Sequence, residues 1–268
     1  MTKLRIFSYL PNPRVWKATI AARFCGVDLE IRGAPPGELK AWLWDYDARP
    51  LAEGERESLS SLARTGRVGL GGAQLFKTDA FLEAQPFGTV PAAFAPDGRT
   101  GIFESNSIMR AVARLGQATF SLYGRDAYEA SRIDSFLDVS LVFARDSQIY
   151  LLALSDGTVD TAIHARAKAG FAIWAAGLEQ ALSPQRKTLV GNDISLADIC
   201  FAAELALFMN EHARSAQLTE RGLDKILHAG VRSDYPRVFV HFDRLVNHEH
   251  FRPDLKPYVE KLLSKAAA

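Results

Sequence analysis

Phe87-Gly88-Thr89-Val90-Pro91-Ala92, followed by Ile102-Phe103-Glu104-Ser105-Asn106, is the stretch on which the reading of this chain turns. The first segment reads as a strand entered through a Val-Pro bond. Pro96-Asp97-Gly98-Arg99 has the composition of a tight turn, and Ile102-Phe103 reads as the returning strand. The apolar repeat that starts at Ser105 predicts a helix opening on an acid and a hydroxyl. X-Pro bonds are the usual home of a cis peptide. A cis bond at Val90-Pro91 turns the Val90 N–H and C=O away from the sheet, where an extended peptide can pair with them. The plainer alternative is a trans proline at a strand start. At the helix start, unpaired N–H groups and the positive dipole end suit a carboxylate. Ser105 adds a hydroxyl and Glu104 an acceptor for an ammonium, and an α-amino acid carries both of the matching groups. Ser105 also reads as an N-cap, a role compatible with binding.

Outward from that hairpin, Leu4 to Tyr9 alternates as a first strand, and Pro11-Asn12-Pro13 breaks it. Val15 to Phe24 repeats at helical spacing and stops at Gly26. Leu29-Glu30-Ile31 is a second short strand. The segment from about Gly37 to Gln74, with Trp42, Trp44 and Tyr46, reads as an insertion, and Leu75 to Ala84 as a helix. The order β-α-β-(insert)-α-β-β-α fits a thioredoxin-like domain whose last two strands form a hairpin. Gln117 to Arg125 is a connector. Beyond it the pattern is helical throughout: Tyr128 to Leu154, Thr158 to Leu182, Leu196 to Ala213, and a tail that includes Val238 to Val246.

The bulk numbers exclude several classes. The 268 residues are 48% apolar and 24% charged, with a formal net charge of +1, the composition of an ordinary globular protein. Near-neutral charge gives no reason to expect nucleic acid or an anionic membrane as partner. Met1 to Arg5 carries no leader-like apolar region and no run reaches membrane-spanning length, so a cytoplasmic protein is expected. Cys25 and Cys200 lie far apart in apolar helical patterns and read as buried thiols. His248-x-His250 lacks the further ligands that a metal site needs.

Taken in order, the Val90-Pro91 pair, the hairpin and the Glu104-Ser105 pair resemble the glutathione-binding half of the glutathione transferase superfamily. Val190-Gly191-Asn192-Asp193-Ile194-Ser195-Leu196-Ala197-Asp198-Ile199 is similar to that superfamily's helix-capping signature. Read physically, Ser195 caps the helix, Asp198 reaches back to the Ser195 N–H, and Ile194 staples onto Ile199. The resemblance covers nearly the whole chain except the segment after Pro36. It implies an α/β N-terminal thioredoxin-like domain, residues 1–117 with an insertion at about 37–74, and an all-α C-terminal domain, residues 122–268. Within the superfamily, Asn12 to Ala18, Phe103 to Ile108 and the tail from Tyr235-Pro236-Arg237 to Phe251-Arg252 look most like the transferase-type domain of elongation factor 1 gamma. That relative is mainly a scaffold.

The resemblance implies glutathione as cosubstrate, with its γ-glutamyl group at Glu104 and Ser105 and its cysteine backbone on Val90 beside Pro91. The thiol then lies near the loop after the first strand, where a hydrogen-bond donor lowers its pKa and exposes the nucleophilic thiolate. Asn12 is the first candidate donor, then Tyr9, then Arg14. The plainer alternatives are an edge-strand tyrosine, turn chemistry plus a cap at Asn12, and a surface ion pair at Arg14. Phe143, Arg145, Asp146 and Tyr150 are candidates by position for an acceptor pocket. Trp42, Trp44 and Tyr46 either cover that pocket, make a subunit contact or cap a local apolar patch. The implied activity is transfer of glutathione to a small hydrophobic electrophile, aryl ether cleavage included. The alternative is a weakly catalytic or non-catalytic assembly subunit. Either form implies a homodimer or a heterodimer with a related chain.

Overall fold

The computed structural model describes residues 3–66, 71–117, 121–183 and 186–267. The connector read at Gln117 to Arg125 falls partly on residues 118–120, outside the described residues. The chain divides into two compact units, Met1–Ala118 and Thr119–Ala268.

The first unit opens with β1 (Leu4–Tyr9), α1 (Pro13–Cys25) and β2 (Leu29–Ala34). Asn12 caps α1, Pro13 supplies its first turn, and Gly26 ends it in the left-handed conformation at φ 64°. β1 and β2 pair in parallel, Leu4 opposite Leu29 through Tyr9 opposite Ala34. The segment read as an insertion is built: β3 (Trp42–Trp44), β4 (Arg49–Pro50), α2 (Glu55–Ser58) and β5 (Ala63–Thr65) precede β6 (Gln74–Lys77). These strands form a second four-stranded sheet in the order β4-β3-β6-β5. The helix expected over Leu75 to Ala84 is therefore a strand followed by α3 (Asp79–Ala84), which starts where the Thr78 hydroxyl accepts from the Phe81 N–H at 3.0 Å. Pairing of β6 with its neighbours overrides an apolar pattern too short to separate strand from helix. β7 (Ala92–Phe94), β8 (Gly101–Phe103) and α4 (Ser105–Leu115) complete the unit, with the first sheet in the order β2-β1-β7-β8.

The second sheet covers the aromatic face of the first. Phe7 meets Trp42, Trp44 and Phe81 at ring separations of 5.9, 5.3 and 6.5 Å, and Phe94 packs on Phe81 at 5.9 Å. Trp44 is 1% exposed and donates through Nε1 to the Leu39 carbonyl at 3.0 Å. Of the three readings for the Trp42-Trp44-Tyr46 cluster, the local apolar patch is the one observed. On the other side of β1, the Asn12 Nδ2–H donates to Ser8 Oγ at 3.1 Å and ties α1 to the sheet, and α1 packs along α4.

The second unit is helical: α5 (Ala127–Ser155), α6 (Thr161–Ala181), α7 (Leu196–Phe208), α8 (Ser215–Glu220), α9 (Val231–Asp234), α10 (Pro236–Asn247) and α11 (Arg252–Ala267). Stacked rings fill its core, Phe143 on Trp174 at 4.3 Å and Phe171 on Phe208 at 5.2 Å. The capping box at α7 is present. Asp198 accepts from the Ser195 N–H and hydroxyl, both at 2.9 Å, and from the Leu189 N–H at 3.0 Å. His241 of α10, 43 residues further along the chain, lies 2.8 Å from the same carboxylate. Among the described residues no helix is long and apolar enough to cross a membrane.

Candidate functional site

Register alone gathers the site at one end of the first sheet. Phe7 faces Ala92, and Ala92 faces Phe103. The residues just past these pairs therefore lie side by side: Ser8 and Tyr9 at the end of β1, Val90-Pro91 before β7, Glu104-Ser105 after β8. The Val90-Pro91 bond is cis, as is Leu10-Pro11. The ladder on both flanks of β7 begins at Ala92. Among the described residues no hydrogen bond engages the Val90 N–H or C=O.

The loop that delivers Val90 is pinned from below. Lys77 of β6, almost fully buried, donates to the Gly88 carbonyl at 2.6 Å and sits 4.8 Å from the centre of the Trp44 ring. Gln85 donates to the Thr89 carbonyl at 2.9 Å and accepts from the Phe87 N–H at 3.0 Å. Gly88 has φ 61°, and a Cβ there meets Lys77 Nζ at 3.1 Å, so the turn and the close approach both require glycine.

The second arm of the site is the start of α4. Glu104, not Ser105, occupies the N-cap position, and Ser105 is the first helical residue. Glu104 has φ 65° and ψ 121°, the only positive φ at a non-glycine among the described residues. Such a conformation costs on the order of 1–3 kcal/mol and collects at ligand clamps and active sites. The Glu104 side chain is exposed and makes no cap bond. Its carbonyl takes the Ile108 N–H at 3.0 Å, while the N–H groups of Ser105 and Ser107 have no acceptor among the described residues. Beneath this turn lies Lys17 of α1, 0% exposed, which donates to Ser105 Oγ at 3.2 Å and to Asn106 Oδ1 at 2.8 Å.

The start of α1 is closed by contrast. Pro13 has no N–H, Arg14 N–H donates to Asn12 Oδ1 at 2.9 Å, and the Val15 and Trp16 N–H groups reach the Asn12 carbonyl at 2.9 and 3.3 Å. Asn12 is 0% exposed, so its amide serves the helix and Ser8 rather than facing outward. Tyr9 and Arg14 are half-buried, with Tyr9 packed on the aromatic cluster. Neither cysteine supplies a nucleophile: both are buried, and burial pushes the Cys25 thiol up.

The acceptor candidates of the second unit are not brought together. Phe143 stacks in the core, and the buried Tyr150 hydroxyl donates to Glu211 Oε1 at 2.7 Å. Burial, then the Glu211 charge, holds that phenol far above its usual range. Asp146 pairs with Arg166 at 2.8 Å, and Arg145 is exposed. His248 and His250 stand 5.5 Å apart, and among the described residues no group of three or more metal-ligating side chains forms.

No family model matches the chain. A glutathione S-transferase-like protein of Gibberella moniliformis is 23% identical over 250 residues, covering 92% of this chain and 90% of that protein. A probable elongation factor 1-gamma of Arabidopsis thaliana is 29% identical over 189 residues, 65% of this chain but 38% of that longer protein. Among solved structures, a glutathione S-transferase of Methylobacillus flagellatus with glutathione bound superposes with a TM-score of 0.61 at 15% identity, covering 94% of this chain and 98% of that one. The chain has the fold of the glutathione transferases. Its two units match the mixed-sheet N-terminal half and helical C-terminal half of that architecture, and the first unit carries the second four-stranded sheet as well. Lys17 and Lys77 are the residues of this site that sequence reasoning missed. The available signal was a lysine on the apolar face of α1, among Val15, Ala18 and Ala21.

Proposed function

We propose that the chain binds glutathione at the sheet end described above and transfers it to a small hydrophobic electrophile. The observation that carries this reading is the open start of α4: two unaccepted N–H groups and the Ser105 hydroxyl, beside the unpaired Val90 backbone next to Pro91. The γ-glutamyl carboxylate takes the helix start and its ammonium takes Glu104. The cysteine backbone of the tripeptide pairs with Val90 as an added strand. The thiol then faces the β1–α1 loop. There Tyr9 and Arg14 are the side chains for stabilising its anion, and Asn12 sets the loop that carries them. The thiolate attacks the electrophilic carbon, a C–S bond forms, and the leaving group departs with the bonding pair; with an epoxide the C–O bond breaks and its oxygen takes the pair, and with an enone the C=C π pair shifts to leave an enolate. A protein of the same fold crystallised with glutathione bound supports glutathione as the ligand. Pairing with a second chain, identical or related, and a cytoplasmic setting belong to the same proposal.

One observation favours the second reading, a weakly catalytic assembly subunit. The first turn of α1 leaves no backbone N–H for a thiolate, since Pro13 has none and those of Arg14, Val15 and Trp16 reach Asn12, so the helix start contributes little to activation. Similarity to the elongation factor relative, over 38% of its length, points the same way. Isothermal titration with glutathione followed by a panel of aryl halides, epoxides, enones and aryl ethers separates the two. Turnover that falls in Tyr9→Phe or Arg14→Ala supports the transferase. Binding with no turnover on any class supports the subunit, and absence of binding at millimolar glutathione overturns both glutathione readings.

A further inference from the structure

We infer that Lys17 is a positioning residue that makes the start of α4 selective for a carboxylate. This rests on the reading that the site takes glutathione. Lys17 is carried on the inner face of α1, and its amine reaches the first turn of α4 rather than solvent. Placing that amine in the interior is costly unless its hydrogen bonds are made. Two of them go to the residues that open the binding end of α4: Ser105 Oγ at 3.2 Å and Asn106 Oδ1 at 2.8 Å.

The direction of the Lys17–Ser105 bond decides the chemistry. A lysine amine donates, so Ser105 Oγ accepts, and the serine hydrogen is left to donate elsewhere. A hydroxyl that accepts from a strong donor becomes a better donor itself. The Ser105 O–H and the unaccepted Ser105 and Ser107 N–H groups then form one donor set. A positive side chain beneath the turn adds to the positive end of the helix dipole. All of these favour an anion, and none favours a neutral group of the same shape. Lys17 touches no ligand in this account; it acts through Ser105 and through its charge.

The test compares glutathione with γ-aminobutyryl-cysteinylglycine, the same tripeptide without the α-carboxylate of its first residue, on the full chain. Wild-type protein binds glutathione the more tightly. Lys17→Gln, which keeps a donor for Asn106 but removes the charge, weakens glutathione by roughly tenfold or more and leaves the analogue unchanged. Lys17→Arg restores most of the preference. Equal loss on both ligands, or no loss on glutathione, overturns the inference while leaving the glutathione reading intact. Wild-type protein that binds the two tripeptides equally overturns it as well, without any variant having to fold. Wild-type protein that binds neither overturns the reading of the site and the role of Lys17 with it.

Discussion

At the residue scale, Asn12 illustrates how a polar side chain beside a binding site is spent on structure. Its carbonyl oxygen caps α1 and its amide holds Ser8, both inside the unit. Asn12→Ala is expected to cost about 1–2 kcal/mol of stability, the usual loss of an N-cap, and Asn12→Asp less, because the capping oxygen remains. Urea denaturation measures both. A variant whose glutathione turnover collapses at unchanged stability would return Asn12 to the thiol. Glu211 supplies a second residue-scale case. Burial pushes its carboxyl up, against hydrogen bonds from Tyr150 and the Leu227 and Ile226 N–H groups that pull it down. A carboxyl raised in the folded state contributes stability below its unfolded pKa and loses it as pH rises through the folded value. Tyr150→Phe removes one of the bonds that restrain the rise. It is expected to cost about 1.5–3 kcal/mol at neutral pH and less in mild acid. Equal losses at both pH values would mean that the carboxyl titrates as in the unfolded chain.

At the element scale, the added sheet carries more than its place in the sequence suggests. Arg5 of β1 lies 4.0 Å from the centre of the Tyr46 ring and pairs with Asp47. The Tyr46 hydroxyl donates to the Pro96 carbonyl at 2.8 Å, and Gly98 leaves room for that ring, since a Cβ there meets Tyr46 Cγ at 2.9 Å. The added sheet thus holds β1, the hairpin turn and, through Lys77, the Val90 loop. Trp44→Ala is expected to cost about 3–5 kcal/mol, the range for a large buried ring. A residue on a loosely attached loop stays within about 0.5 kcal/mol, so guanidinium unfolding of this one variant separates the two pictures. Part of this was legible: two tryptophans and a tyrosine in five residues mark an apolar cluster. Its partner strands were not, because β3 pairs with β6 across thirty-odd residues of weak pattern, and β6 itself is too short to be told from the helix that follows.

At the scale of the whole molecule, the chain divides into two compact units, and the residues of the proposed glutathione site all belong to the first. Ligand that binds the folded state alone stabilises it by about 2.7 kcal/mol at a hundred times Kd. Glutathione is therefore expected to raise the melting temperature by several degrees, in step with its concentration, as followed by calorimetry. Oxidised or S-alkylated glutathione, which keeps the γ-glutamyl group, gives a shift of the same sign. An unchanged melting temperature at saturating glutathione contradicts binding at this site.

Sequence by itself determined the β1-α1-β2 opening, the hairpin, the helix start at Ser105, the α7 capping box and the helical second half. Each of these is written in short range, in a turn dipeptide, a cap or a period of apolar residues. Only the tertiary structure decided that Glu104 takes the strained cap position, that the supposed helix at Leu75 begins as a strand, and that Asn12 points inward. It also decided what lies beneath the site. Lys17 and Ser105 are 88 residues apart and Lys77 and Gly88 are 11 apart, and nothing in a local pattern says which oxygen a buried lysine will find. Such a contact is fixed by which helix packs on which strand, and that is a property of the folded unit alone.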